Sequence, residues 1–298
     1  MLLKFRNLFF SFSFILSIFS SSVEAQTKTL RIGAIPDQNQ ELLDRRFNLL
    51  SEVLSNKLDV KVKYLPVIDY VAAVTAFRKN DLDFVWFGGL SGVQARLQTK
   101  NSIIIAQRDI DREFKSVFIV NKKLKLLRSN NLYDLEKLKN LRFTFGSENS
   151  TSGRLMPEYF MNLAGLKISD LKGKRAGFSG SHDTTIALVN SGSFDAGVLN
   201  KQVWDRNVKN NFKRTKNINV FFVSPEYPDY HWVAQGDLDE KFYEGFTSLL
   251  KSAILNLDEN NYKQKEILEL FGAKKFVEAY PSQYKSIESI ARKLKKIK

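Results

Sequence analysis

Residues 29–87, TLRIGAIPDQNQELLDRRFNLLSEVLSNKLDVKVKYLPVIDYVAAVTAFRKNDLDFVWF, decide the fold. Thr29 to Ile35 reads as a strand. From Glu41 to Leu58, apolar residues at Leu42, Leu43, Phe47, Leu50, Val53 and Leu54 recur at helical spacing. Val60 to Leu65 is a second strand, Tyr70 to Asn80 a second helix, and Leu82 to Phe87 a short apolar run of a buried strand. This βαβαβ order predicts a parallel sheet with helices on both faces. In such sheets ligands bind where the carboxyl ends of strands run into helices.

The pattern restarts downstream. Arg142 to Phe145, Lys174 to Phe178 and Asp195 to Leu199 read as strands, separated by helices at Thr151–Leu163 and Asp183–Ser191. A strand at Phe114–Val120 and a polar, Lys-rich stretch at 122–131 precede this second run. Val220 to Ser224 followed by His231 to Ala234 reads as a return crossing, and the chain from Asp239 onward is helical. The prediction is therefore an α/β protein of two doubly wound lobes joined by a two-strand hinge. Residues 26–120 and 224–298 form lobe one, and 121–223 form lobe two.

The first residues read as an export signal. Lys4 and Arg6 precede an apolar run from Leu8 to Phe19, too short to span a bilayer, and Val23-Glu24-Ala25 supplies small residues for cleavage. The mature chain then begins at Gln26, in a periplasm. With 0 Cys there is neither a disulfide nor a lipid-anchored cysteine. The net charge of +14 is spread along the chain, its densest cluster (Arg292, Lys293, Lys295, Lys296, Lys298) closing the last helix. Export argues against nucleic acid, leaving a field that steers a small anion inward.

Three segments carry chemistry. Gly146-Ser147-Glu148-Asn149-Ser150-Thr151-Ser152-Gly153 lies between a strand and a helix. Its three consecutive hydroxyls and the free N–H groups of the helix start converge on one anion, or else Ser150 or Thr151 simply caps the helix. Gly180-Ser181-His182-Asp183 occupies an equivalent turn, where His182 either donates to an anion, directly or as an imidazolium, or caps. Asp69-Tyr70 opens another helix: Asp69 fits an N-cap, and Tyr70 is core or a ligand-facing phenol.

The order of IGAIPD, IDYVAAV, DFVWFGGLSGVQA, FKSVFIVNK, NSTSGRLMP, GSHDTTIALVNSGSFDAGV and YPDY resembles the periplasmic phosphonate/phosphite-binding proteins of ABC importers, from Leu30 to Leu250. The resemblance implies a type II periplasmic binding fold, a small oxyanion ligand (phosphonate, phosphite or phosphate), a membrane permease as partner, and a monomer. It places a hydroxyl cradle on Ser150, Thr151 and Ser152, an anion-contacting histidine on His182, a tyrosine on Tyr70 and an acidic residue on Asp229. Where phosphonate binders carry Tyr, this chain has Phe114, one donor fewer. Arg108 and Arg112 either compensate with charge or form surface salt bridges with Asp109, Asp111 and Glu113, which is the simpler reading. Similar Arg-Asp-rich segments leave selenate open as a ligand.

No G-x-S-x-G elbow, Walker-type loop or H-E-x-x-H motif occurs, and 2 His with no Cys suggest no metal site. A binding protein without cofactor is expected rather than an enzyme. A sensory ligand-binding protein would share the same fold.

Overall fold

The computed structural model describes residues 28–297; the segment read as an export signal lies outside them. Strands and helices alternate as β1 (Thr29–Ala34), α1 (Gln40–Leu58), β2 (Lys61–Tyr64), α2 (Tyr70–Arg78), β3 (Phe84–Phe87), α3 (Gly89–Gln98) and β4 (Ile103–Arg108). A second series follows: β5 (Ser116–Asn121), β6 (Phe143–Phe145), α4 (Met156–Leu163), β7 (Gly177–Phe178), α5 (His182–Ser191), β8 (Ala196–Asn200), α6 (Lys201–Asn210), α7 (Phe212–Thr215) and β9 (Ile218–Val223). The chain returns through β10 (His231–Ala234), α8 (Leu238–Lys241), α9 (Phe246–Leu255), α10 (Tyr262–Phe271), β11 (Phe276–Val277) and α11 (Lys285–Lys293).

These elements build two α/β lobes. Lobe one holds a sheet of order β11-β4-β10-β3-β1-β2, and lobe two one of order β7-β6-β8-β5-β9. Both sheets are mixed rather than wholly parallel. Strands β2, β1 and β3 are parallel, as are β7, β6 and β8, but β10 runs antiparallel to β3 and β4, and β5 antiparallel to β8 and β9. The cause is the double crossing between lobes. A strand leaving a lobe runs toward the hinge and one entering runs away from it, so adjacent crossing strands must be antiparallel.

The boundary expected at residue 120 needs the same correction. β5 pairs with β8 and β9 over Ser116–Asn121 and belongs to the lobe-two sheet. Its apolar sequence announces burial, but burial in one sheet looks the same as burial in the other.

α1 shows how pattern becomes packing. Leu43, Phe47, Leu50 and Leu54 are buried along one face, each contributing roughly 1.5–3 kcal/mol of transfer free energy. Phe47 meets Trp232 edge-on at 5.9 Å, and Trp232 stacks on Phe84 at 4.2 Å. Arg46 breaks the pattern. It is buried beside Phe271, its guanidinium carbon 5.0 Å from the ring centroid, and burial lowers its pKa to about 10.

Between the lobes, the two crossings pair with each other. Phe114 and Tyr227 exchange backbone hydrogen bonds at 2.9 and 3.0 Å, and Asp229 N–H donates to Asp111 O at 3.0 Å. Arg108, read from sequence as a surface salt-bridge former, is buried at this junction. Its guanidinium donates to both oxygens of Asp111 (2.8 and 2.6 Å), to Phe271 O (2.7 Å), and to Gln202 Oε1 of lobe two (2.6 Å). Burial opposes its charge, but Asp111 more than offsets this and holds the guanidinium protonated. The partner was legible at i+3; the Trp86 and Tyr230 rings that meet the guanidinium come from β3 and from the residue just before β10. Arg112 is exposed and donates to Glu278 O at 3.2 Å.

Candidate ligand-binding cleft

The cleft lies where strand ends of both lobes face each other across the hinge. Its lobe-two wall is the turn after β6. Thr151–Leu155 forms a π-helical turn ahead of α4, with Leu155 N–H bonded to Ser150 O at 2.9 Å; such widened turns recur at functional sites. Gly146 N–H donates to Gly153 O at 2.8 Å, and a Cβ on Gly153 would come within 2.9 Å of Ser150 Oγ and 3.2 Å of Gly146 Cα. Glycine at both positions lets the hydroxyl turn sit directly on the end of β6.

Ser150, Thr151 and Ser152 are all buried. Ser150 Oγ accepts from Gly153 N–H at 2.9 Å, so it does cap the turn. Thr151 Oγ1 accepts from Leu90 N–H of lobe one at 2.9 Å. An oxygen that accepts an N–H still has its own O–H to donate, so capping and anion binding are compatible. Ser152 Oγ has no hydrogen-bond partner among the described residues.

His182 opens α5 after Gly180, whose φ of +83° suits a residue without a Cβ. Its ring is buried; Nδ1 accepts from Asn200 N–H at 3.4 Å, which leaves the proton on Nε2, 3.4 Å from the Tyr230 hydroxyl. Burial lowers its pKa, which favours a neutral imidazole donor over the imidazolium. Tyr230 in turn donates to Asp37 Oδ2 at 2.8 Å, and His182 N–H donates to Asp37 O at 2.9 Å. Asp37 thereby ties lobe one to the lobe-two histidine.

The lobe-one and hinge wall is made of acids, phenols and a helix start. Asp69 caps α2, accepting from Ala72 N–H at 2.7 Å, and the buried Tyr70 lies within reach of the Ser150 hydroxyl. Burial raises the Tyr70 pKa well above the ordinary phenol value, keeping it a donor. Asp229 Oδ1 accepts from Gly89 N–H at 2.9 Å, at the start of α3. Burial raises the Asp229 pKa to about 7, against the partial relief from Gly89. Phe114 is buried, but it packs edge-on against Tyr230 at 5.4 Å and Tyr227 at 6.3 Å. Tyr227 supports the cradle from behind, its hydroxyl 2.5 Å from Ser116 Oγ, which donates to Ser152 O at 2.7 Å.

Sequence reasoning passed over Asp37, Asn200, Tyr230 and the amides of Gly89 and Leu90. Three of these were findable by position: Asp37, the Gly88-Gly89 doublet and Asn200 each stand at or just beyond the carboxyl end of a strand (β1, β3 and β8). Among the described residues no cluster of His, Cys, Asp or Glu could hold a metal ion, and no helix is long and apolar enough to cross a membrane.

A family model described as "ABC transporter, phosphonate, periplasmic substrate-binding protein" matches residues 32–284. The chain belongs to this family. It is 67% identical over 288 residues, 97% of each chain, to the "Probable ABC transporter phosphite binding protein PhnD1" of Prochlorococcus marinus (strain MIT 9301). It is 31% identical to the "Phosphonates-binding periplasmic protein" of Escherichia coli (strain K12), covering 88% of this chain and 75% of the relative. The solved structure of Prochlorococcus marinus PhnD1 in complex with methylphosphonate superposes with a TM-score of 0.90 at 69% identity, covering 91% of this chain and 99% of that one. Family membership makes the protein a substrate-binding component of an ABC importer rather than an enzyme, a periplasmic one with a permease as its partner. The two-lobed α/β fold read from the sequence is the fold of these relatives.

Proposed function

We propose that the protein captures a small tetrahedral oxyanion of the phosphonate, phosphite or phosphate class in this cleft and presents it to the permease. The carrying observation is the run of three buried hydroxyls at Ser150, Thr151 and Ser152, of which Ser152 Oγ is unpartnered among the described residues. An oxyanion needs several converging donors, and a buried hydroxyl without a partner costs about 1–3 kcal/mol unless a ligand supplies one. His182 and Tyr70 add neutral donors from either side, Asp229 meets the anion from the hinge, and Phe114 lines the hinge side without a polar contact. The methylphosphonate carried by the Prochlorococcus relative supports the same class of ligand.

Residues up to 115 with those from 224 onward act as lobe one and residues 116–223 as lobe two. The exported chain starts near Gln26 and works as a monomer.

The test is a thermal-shift panel of phosphite, methylphosphonate, phosphate, 2-aminoethylphosphonate and selenate, followed by calorimetry. A native-state binder raises Tm by mass action. Phosphorus oxyanions raising Tm support the proposal; a panel in which none of them does so defeats it. Mass spectrometry of periplasmic protein reads the N-terminus, and sedimentation reads the monomer.

A further inference from the structure

Cations scattered along the sequence are gathered by the fold at one end of the molecule. From the hinge, β5 runs about 20 Å into lobe two, at roughly 3.3 Å per residue, and β6, β7 and β8 run back toward the cleft. The end of β5 and the starts of β6, β7, β8 and β9 therefore form the end of lobe two farthest from the cleft. Main-chain bonds hold its segments side by side. Lys122 N–H donates to Asn217 O at 2.8 Å, Asn121 N–H to Asp195 O at 2.8 Å, Asp195 N–H to Arg142 O at 2.9 Å, and Lys172 N–H to Leu141 O at 3.0 Å.

Residues 122–145, 163–178, 190–196 and 216–219 make up this end and its flank, and they carry twelve Lys or Arg against four Asp or Glu. All twelve cations are exposed. Three of the acids are already engaged, Asp134 by Lys137, Asp170 by Lys139 and Asp195 by Arg142. The other nine cations, Lys122, Lys172 and Arg175 among them, enter no ion pair among the described residues. Leu127 and Tyr133, 83% and 67% exposed, stand in the same stretch of chain. The corresponding end of lobe one, where β1, β2 and β3 start, is nearly balanced. Its residues 28–31, 57–61, 78–83, 99–103 and 235–244 hold eight Lys or Arg against seven Asp or Glu, and Arg31 and Lys241 both pair with Asp83.

We propose that the far end of lobe two docks on an anionic lipid bilayer, through exposed lysines centred on Lys122, Lys123, Lys172 and Lys174, and leaves the cleft free. A surplus of eight positive charges on one exposed end attracts a negative surface over a range set by the Debye length. Composition selects a bilayer over a protein. Nine of the twelve cations are lysine, a residue depleted from protein–protein interfaces, where arginine and large aromatics prevail. Hydrated ammonium groups on flexible stems suit a fluid layer of anionic headgroups. Leu127 and Tyr133 add an apolar and an amphipathic side chain of the kind that enters the headgroup region. A periplasmic component of an importer works beside such a bilayer, and docking by this end confines it to the plane that holds the permease. The contact involves no cleft residue, so it is independent of which oxyanion the cleft takes.

Co-sedimentation of the chain from Gln26 onward with vesicles tests the proposal, using phosphatidylcholine alone or mixed equally with phosphatidylglycerol. Wild type should partition at least about tenfold more strongly onto the mixed vesicles, and that preference should collapse in high salt as the Debye length shortens. Replacing Lys122, Lys123, Lys172 and Lys174 together with Glu should lower partitioning at least about tenfold. The same charge change at the end of lobe one, Lys28, Lys61, Lys79 and Lys100 together to Glu, should leave it within about threefold of wild type. Equal partitioning of wild type onto the two kinds of vesicle overturns the proposal, and this arm stands whether or not the variants fold. Equal losses in the two variants also overturn it, because net charge alone would then act. So does binding that appears only when the permease is reconstituted in the vesicles, which would make this end a protein-docking surface.

Discussion

The two walls of the cleft are built on opposite plans. The lobe-two wall is local: Ser150, Thr151 and Ser152 sit on one turn, held by Gly146 and Gly153 a few residues away. The wall facing it draws on the ends of β1 and β3, the start of α2 and the hinge, bringing together Asp37, Gly89, Tyr70 and Asp229. A local wall takes its geometry mainly from residues of its own turn. A composite wall exists only when strands far apart in sequence are correctly packed, so it reports on the fold as well as on the ligand.

The strongest way to break this contrast is to strip the local wall. Replacing Ser150, Thr151 and Ser152 together with Ala removes several charge-assisted hydrogen bonds, each worth about 1.5–3 kcal/mol. Methylphosphonate binding should fall by several hundredfold or more in calorimetry. Ligand-free stability should change far less, by about the 1 kcal/mol of a lost cap. Unchanged affinity would remove the hydroxyls from the site.

The composite wall should respond in the opposite sense. Asp111→Asn leaves Arg108 buried without its carboxylate, at a cost of about 3–5 kcal/mol in denaturant unfolding. A loss below about 1 kcal/mol would mean that the hinge pair is dispensable.

A smaller effect comes from Asp229 itself. Its raised folded pKa means that ionisation is resisted in the native state, so its stabilising contribution is complete below the ordinary carboxyl pKa near 4. That contribution is lost as pH rises toward about 7. The ligand-free wild type should therefore lose Tm relative to Asp229→Asn across that interval. Parallel pH profiles of the two proteins would contradict this.

The smallest effect is expected at the rim. Lys296 Nζ lies 3.1 Å from Glu158 Oε2 of α4, and Gln94 Nε2 donates to Asn149 Oδ1 at 3.1 Å, both pairs spanning the lobes. Lys296→Ala should weaken binding less than about fivefold, because partly exposed pairs are worth at most about 1 kcal/mol.

Legibility followed the same division. The hydroxyl turn, the helix caps at Asp69 and Ser150, and the apolar face of α1 are short-range patterns, readable because their partners lie within a few residues. Assigning β5 to lobe two, burying Arg108 and recruiting Asp37 each depended on a partner 76 or more residues away: Ala196–Asn200 for β5, Gln202 and Phe271 for Arg108, His182 and Tyr230 for Asp37.

By itself, the sequence determined that two α/β units alternate along the chain, that a hydroxyl-rich helix start follows β6, and, through motif order, which family the chain resembles. Hydrophobic period and turn chemistry are local, so one dimension suffices to read them. Only the tertiary structure decided that the sheets are mixed, that an arginine is buried at the hinge, and that Asp37 is tied to Tyr230 and His182. Those features depend on which strand ends meet across the cleft, and on the burial that follows when they do.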